Sequence, residues 1–383
     1  MPATTGGRPP AIAAAQSLAS TVPSLGVEEE FLLLDPANGE NVPAAVAVLS
    51  GLPAGIREQS RPEFRHSMIE MVTPVCTSLA EAEQQLRRLR RAAAAAAAAA
   101  GTRLVAVGAT PIAERRPTVT DNPRFEAIAR HYGPIVADPA VCGCHVHVGV
   151  ADRELAIQVS NQLRTRLPVI QALAANSPFY VGADSGHASW RSMQLERWPS
   201  LGPAPLFESA DDYADTVRLM VDSGAMLDAT MVLWYARPSA TYPTIEVRVA
   251  DVCPTVADTV LLTGLIRALV ATAIDDIAAG LTAPEVPDVL LRAAHWNAAH
   301  RGLGGTLLDL REGRARPAWD VVDDLVTTVR PALLRHADLP LVETGLARLR
   351  QEGTGADRQR RVYERTNDLR TVVSELATWT VQG

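Results

Sequence analysis

Three short runs of this sequence alternate apolar and charged residues, and that alternation points to a fold built on a sheet with one densely charged face. In a strand, successive side chains point to opposite faces. The run Gly26-Val27-Glu28-Glu29-Glu30-Phe31-Leu32-Leu33-Leu34 therefore puts Glu28 and Glu30 on one face and Val27, Phe31 and Leu33 on the other. Cys144-His145-Val146-His147-Val148 does the same with two imidazoles, and Thr244-Ile245-Glu246-Val247-Arg248-Val249 with a carboxylate and a guanidinium. Any one of these runs also fits an ordinary half-buried strand with its polar side in water. Together, however, they present only carboxylate, imidazole and guanidinium groups, the inventory that binds metals and phosphates.

Glu63 and Glu70 add two carboxylates just ahead of Thr73-Pro74. Their spacing puts them on opposite faces of a regular strand, so a bulge or bend is needed for both to join the others. Glu29 alternates toward the apolar side and reads as structural. Like charges crowded on one face repel unless a cation neutralises them. Hard oxygen ligands with an imidazole suit Mg²⁺ or Mn²⁺, and no CxxC or HExxH run supports zinc. Magnesium usually arrives with phosphates, and Arg248 is placed to bind one, so the pattern implies ATP chemistry. Cys142 and Cys144 alternate away from the histidines and read as packing residues.

Composition narrows the chemistry further. All 36 basic residues are arginine. A Walker A lysine, a Schiff-base lysine and the kinase-strand lysine are thereby excluded. The net charge of −7 argues against a nucleic-acid partner. No signal-peptide core precedes Pro23, and the apolar stretch from Val256 to Leu281 is broken by Arg267, Asp275 and Asp276, so no membrane span is expected and a cytoplasmic location is. The 4 cysteines are too scattered for a disulfide framework.

Residues 1–23, rich in Ala, Pro, Thr and Gly, are expected to form a flexible leader, with one catalytic domain over 24–383. Ser78, with Glu81 three residues on, caps a helix that runs through the alanine tract to Gly101. A strand is expected at Arg103–Gly108, a loop over Thr110–Pro123, a helix to His131 and helical pattern over Glu154–Ala175. The segment Ser177–Pro205 holds Gly, Pro, Trp and Arg without a period and reads as a mobile, lid-like loop. Helices are expected at Val256–Ala279, Val289–Arg301, Ala318–His336 and Pro340–Arg350. Their apolar faces are compatible with self-association and equally with an intramolecular core.

GVEEEFLLLDP at 26–36, the Glu63–Glu70 segment followed by MVTPV, CGCHVHVGV at 142–150, ANSPFYVGADSGHASWRSMQLERWPSLGP at 175–203 and TIEVRVADVCPT at 244–255 together resemble the carboxylate-amine ligase branch of the type 2 glutamate–cysteine ligase family. The resemblance spans about residues 24–370. It implies an α+β, glutamine-synthetase-like catalytic fold, a curved antiparallel sheet forming a funnel backed by helices. It also implies that ATP phosphorylates a carboxylate and an amine displaces the phosphate, with the γ-carboxylate of glutamate and the amine of cysteine, or another amine, as the expected pair. By motif, Glu28, Glu30, Glu63, Glu70 and Glu246 are expected metal ligands. His145 is a ligand or phosphate contact, and Arg248 stabilises the transferred phosphoryl group, so Glu246, His145 and Arg248 form the expected catalytic group. Glu30 and His147 are expected beside the nucleotide with Arg248, His147 either orienting substrate or packing. Arg191 and Arg197 are candidates to clamp substrate carboxylates, each also readable as a solvated surface arginine, with Trp190, Trp198 and Tyr180 as walls. Two other functions remain open at this stage, a guanidino kinase on the same sheet and a non-catalytic nucleotide-binding protein.

Overall fold

In the computed structural model, which describes residues 10–19 and 21–382, the alternating runs become strands of one antiparallel sheet. Its strands are β1 (Leu25–Leu34), β2 (Ser60–Pro62), β3 (Met68–Val72), β4 (Arg103–Val105), β5 (Gly143–Gly149), β6 (Ala236–Pro238) and β7 (Thr244–Asp251). They lie in the order β6-β7-β5-β1-β3-β2, with β4 pairing the far end of β1. The first half of β1 alternates between buried and half-buried residues, but Phe31 to Leu34 are all buried. The reason is coverage: the helix α2 (Leu79–Ala99) and the segments around Val48 and Val372 enclose that end.

Behind the charged face lies an apolar layer built from Val27, Val146, Val148, Ile245 and Val247. The helix α3 (Val256–Ala278) packs on it. That helix is long and apolar enough to cross a membrane, yet 89% of its apolar window is buried inside the fold, which makes it the central core helix. On the same interior side, Glu29 is buried and takes a two-point ion pair from Arg90 of α2, at 2.6 and 2.9 Å. Arg90 also donates to the carbonyls of Cys253, Pro254 and Thr380, so no charge is left unpaired there. Glu29 is a structural residue, as its alternation indicated.

The helix caps agree with the sequence at Ser78, whose hydroxyl accepts from the Glu81 amide at 3.2 Å. Within the alanine tract, Ala93, Ala96 and Ala97 face the core. Their small side chains let neighbouring elements approach closely.

Three readings need correction. Residues 10–18 are not a loose leader: Pro10–Leu18 is a helix with Ala11 and Ala15 buried against α3, while residues 1–9 lie outside the described residues. Its core face is made of alanine at a spacing of four, which composition alone reads as unstructured. The Ser177–Pro205 segment is not a free lid but carries a short helix, α4 (Trp190–Leu195), with Arg191, Ser192 and Gln194 buried. Glu63 reaches the sheet through the bend of the β2–β3 hairpin connection, one of the two routes its spacing from Glu70 required. The C-terminal part is richer than expected, with a hairpin at Thr306–Pro317 and two further helices, Gly355–Thr366 and Leu369–Val381.

Candidate active site

The register of the sheet converts the charged faces into a cluster. Glu30 stands opposite Glu70 on β3, Glu28 opposite His145 on β5, and His147 opposite Glu246 on β7. His145 Nδ1 lies 3.3 Å from Glu28 Oε2 and 4.0 Å from Glu246 Oε1, and His145 Nε2 lies 4.0 Å from Glu30 Oε1. Glu63 joins from the hairpin connection. Donor atoms of Glu28, Glu70 and His145, of Glu28, His147 and Glu246, and of Glu30, Glu63 and Glu70 each fall within 4.8 Å of one another. Every predicted metal-ligating residue is therefore in one place.

Charge is distributed unevenly across this cluster. Burial opposes ionisation of Glu246, but Arg248 and Arg237 outweigh it and hold the carboxyl well below its usual range. Arg237 Nε donates to Glu246 Oε2 at 3.0 Å, and Arg248 Nη1 donates to Oε1. Burial likewise opposes ionisation of Glu28, and the imidazoles of His145 and His147 reverse it. At the opposite end burial prevails. Burial, reinforced by Glu30, pushes Glu63 up to about 8, and burial with Glu63 and Glu28 nearby raises Glu70 well above the carboxylate range. At the Glu30–Glu63–Glu70 end the charge of Arg248 favours ionisation but does not offset burial and the crowded carboxylates.

The donors present suit a hard divalent ion. Burial and the Arg248 charge keep His145 below its ordinary range, so it is neutral near pH 7 and offers a lone pair. His147 Nδ1 lies 2.9 Å from Thr244 Oγ1, while its buried Nε2 makes no hydrogen bond although Glu28 Oε1 is only 3.3 Å away. An imidazole that donates through Nδ1 presents the Nε2 lone pair to the carboxylates, an arrangement that a bound cation relieves.

Beside the cluster a cleft of about 280 Å³ opens, lined by Glu30, Glu63, His145 and Arg248 at its floor and by Phe64, Arg191, Arg197 and Trp198 farther out. Arg191 is buried and lies over Gly143, whose missing side chain leaves room for the guanidinium. The Gly143 amide donates to Glu30 Oε2 at 2.5 Å. Arg197 stands half-exposed at the rim, paired with Asp138. Trp190 and Tyr180 do not line this cleft: they pack on each other, ring centres 5.5 Å apart, near His187. Adjacent residues of a helix point about 100° apart, so α4 cannot turn both Trp190 and Arg191 inward.

The sequence reading missed the anchor of this wall, Asp251. It accepts from the Asn176 amide at 2.9 Å, Ser177 Oγ at 2.7 Å and Ser189 Oγ at 2.8 Å, and lies 4.0 Å from Arg191. Simple alternation puts Asp251 on the apolar side with Val247 and Val249. A register shift between Val247 and Ala250 reverses the parity, so Asp251 stands opposite Gly143 on the site face. Arg237, Arg65 and Arg124 were also unforeseen, and nothing in their local sequence distinguishes them from surface arginines.

Residues 24–375 match the family described as glutamate-cysteine ligase family 2. The chain belongs to that family. A protein of Salinispora arenicola named "Putative glutamate–cysteine ligase 2" is 62% identical over 358 residues, covering 93% of this chain and 95% of its own. One of Nocardia farcinica, "Putative glutamate–cysteine ligase 2-1", is 47% identical over 363 residues, 94% of each chain. The fold is shared with a Francisella tularensis glutamate–cysteine ligase solved in complex with AMP, at a TM-score of 0.70 and 13% identity, covering 95% of this chain and 90% of that one. A bifunctional glutathione synthetase from Pasteurella multocida also has a TM-score of 0.70, at 15% identity, covering 96% of this chain and 53% of that one. The α+β architecture that the family resemblance implied is the fold these structures have.

Proposed function

We propose that this protein, an ATP-dependent carboxylate–amine ligase by its family, joins the γ-carboxylate of glutamate to the amine of cysteine or of another small amine, residues from 24 onward acting as one catalytic unit. The observation that supports this most is the convergence of five carboxylates, two imidazoles and Arg248 on one sheet face, beside a cleft that Arg191 overhangs. Glu28, Glu30, Glu63, Glu70, Glu246, His145 and His147 are the residues that would hold Mg²⁺ or Mn²⁺. When bound, such ions neutralise phosphate charge and align the phosphoryl group with its acceptor.

The chain's own residues supply orientation. Arg248, held by Glu246, directs its guanidinium at the phosphoryl group, and Arg191 faces the cleft as a planar fork suited to a carboxylate. Arg197 offers a second contact at the rim. In the reaction the γ-phosphoryl group of ATP passes to a carboxylate oxygen, giving an acyl phosphate and ADP. The amine nitrogen then bonds to the acyl carbon, the carbon–oxygen bond to phosphate breaks, and the amine's proton is lost to solvent.

The test is product analysis by mass spectrometry over a grid of acids, beginning with glutamate, and amines, beginning with cysteine, with ATP and Mg²⁺. An amide that forms only when both partners are present supports the proposal. A phosphorylated guanidine, or bound ATP with no product from any pair, contradicts it.

A further inference from the structure

A second cavity, of about 290 Å³, lies on the other side of Tyr235 from the catalytic cleft, and Tyr235 and Leu201 line both. Its remaining walls include Glu196, Arg292, His295 and Trp296. Arg292 and Glu196 both face this space, yet no ion pair within 4.0 Å joins them, which leaves one cation and one anion at its walls. His295 is 2% exposed, and its Nε2 has no hydrogen-bond partner.

A chain of hydrogen bonds fixes the chemistry of that nitrogen. His295 Nδ1 lies 2.6 Å from Gln171 Oε1, Gln171 Nε2 donates to Ser192 Oγ at 2.8 Å, Ser192 Oγ is 2.9 Å from Ser189 Oγ, and Ser189 Oγ donates to Asp251 Oδ1 at 2.8 Å. Asp251 and the Gln171 carbonyl oxygen accept only, so the donors must all run from His295 toward Asp251. His295 therefore carries its proton on Nδ1 and, being buried, meets the cavity through Tyr235, whose ring centre lies 4.5 Å from its own. The chain ends at the carboxylate beside Arg191.

We propose that this cavity is an effector site for a free α-amino acid with an apolar or aromatic side chain. The carboxylate is taken by Arg292, the ammonium by Glu196, and the side chain packs on Leu201, Tyr235 and Trp296. Occupancy is transmitted through Tyr235 and the hydrogen-bond chain to Arg191. Only this last step rests on the ligase reading.

L-phenylalanine is the probe, titrated by calorimetry into the full chain with Mg²⁺ and ATP present. Arg292→Ala and Glu196→Gln, both at exposed positions, are each expected to weaken binding about tenfold or more. Phenethylamine, lacking the carboxylate, and 3-phenylpropionate, lacking the ammonium, should lose a similar factor. Bound phenylalanine should change the phosphate-release rate of the wild type and not of Arg292→Ala. Binding unaffected by either variant, no binding up to about 10 mM, or binding that leaves the rate unchanged overturns the proposal. If no substrate pair supports release at all, the ligase reading fails while calorimetry still decides the site.

Discussion

The guanidinium of Arg191 occupies the space where a side chain on Gly143 would sit. A Cβ at that position collides with Nη2 and Cζ of Arg191, so glycine in the CGC run is required by the arginine above it and not by its own backbone. Gly143→Ala should fold and shift Arg191 away from the cleft. Misplacing a substrate-orienting group by about 1 Å lowers turnover roughly 100-fold. Steady-state kinetics should show that loss in kcat/KM with the melting temperature little changed, and unaltered kinetics would dissociate Arg191 from substrate positioning.

Glu63 gives the metal-free protein a characteristic pH dependence. Its folded-state carboxyl is raised from 4.5 to about 8 by burial and by Glu30. The native state then keeps a proton that the unfolded state has lost, so stability falls as pH rises from the unfolded value through the folded one and is lowest above it. The loss is on the order of a few kcal/mol. Urea unfolding at pH 5 and pH 8.5 should show it, Glu63→Gln should flatten it, and Mg²⁺ should reverse it at the higher pH. An equal pH slope in wild type and Glu63→Gln would contradict the crowded-carboxylate account.

Asp251 holds the wall and not the metal. Asp251→Ala leaves the Asn176 amide and the hydroxyls of Ser177 and Ser189 without their acceptor. A destabilisation of about 3 kcal/mol is expected, measured by denaturant unfolding, with Mg²⁺ affinity unchanged in the folded protein. A loss of Mg²⁺ binding would instead make Asp251 a ligand.

Glu29 and its neighbours Glu28 and Glu30 should behave in opposite ways despite their adjacency. Glu29→Gln strands the buried Arg90 charge and should cost about 3–5 kcal/mol of stability. Glu28→Gln strands no buried guanidinium and should instead reduce Mg²⁺ affinity, read by calorimetry.

Where local period and residue type coincide, the sequence is transparent. The pairs Glu28/Glu30, His145/His147 and Glu246/Arg248 were legible because strand alternation reports a face directly, and Ser78 because a cap is a local device. Asp251 was hidden because a register shift three residues upstream inverts its face. Trp190 was misplaced because a helix, not a loop, sets its direction relative to Arg191. The helix at Pro10–Leu18 escaped because its buried face is alanine, whose burial carries no hydropathy contrast. Long-range partners such as Arg237 to Glu246 and Gln171 to His295 depend on the assembled fold and leave no trace in local spacing.

The most direct test of the central claim, that the charged face activates a carboxylate by phosphoryl transfer, follows a heavy-oxygen label placed in the acid substrate's carboxylate. With an acid and amine pair that supports release, the account predicts that one labelled oxygen appears in the inorganic phosphate for each amide formed, and that Glu246→Gln abolishes both. Amide formation with unlabelled phosphate would contradict it.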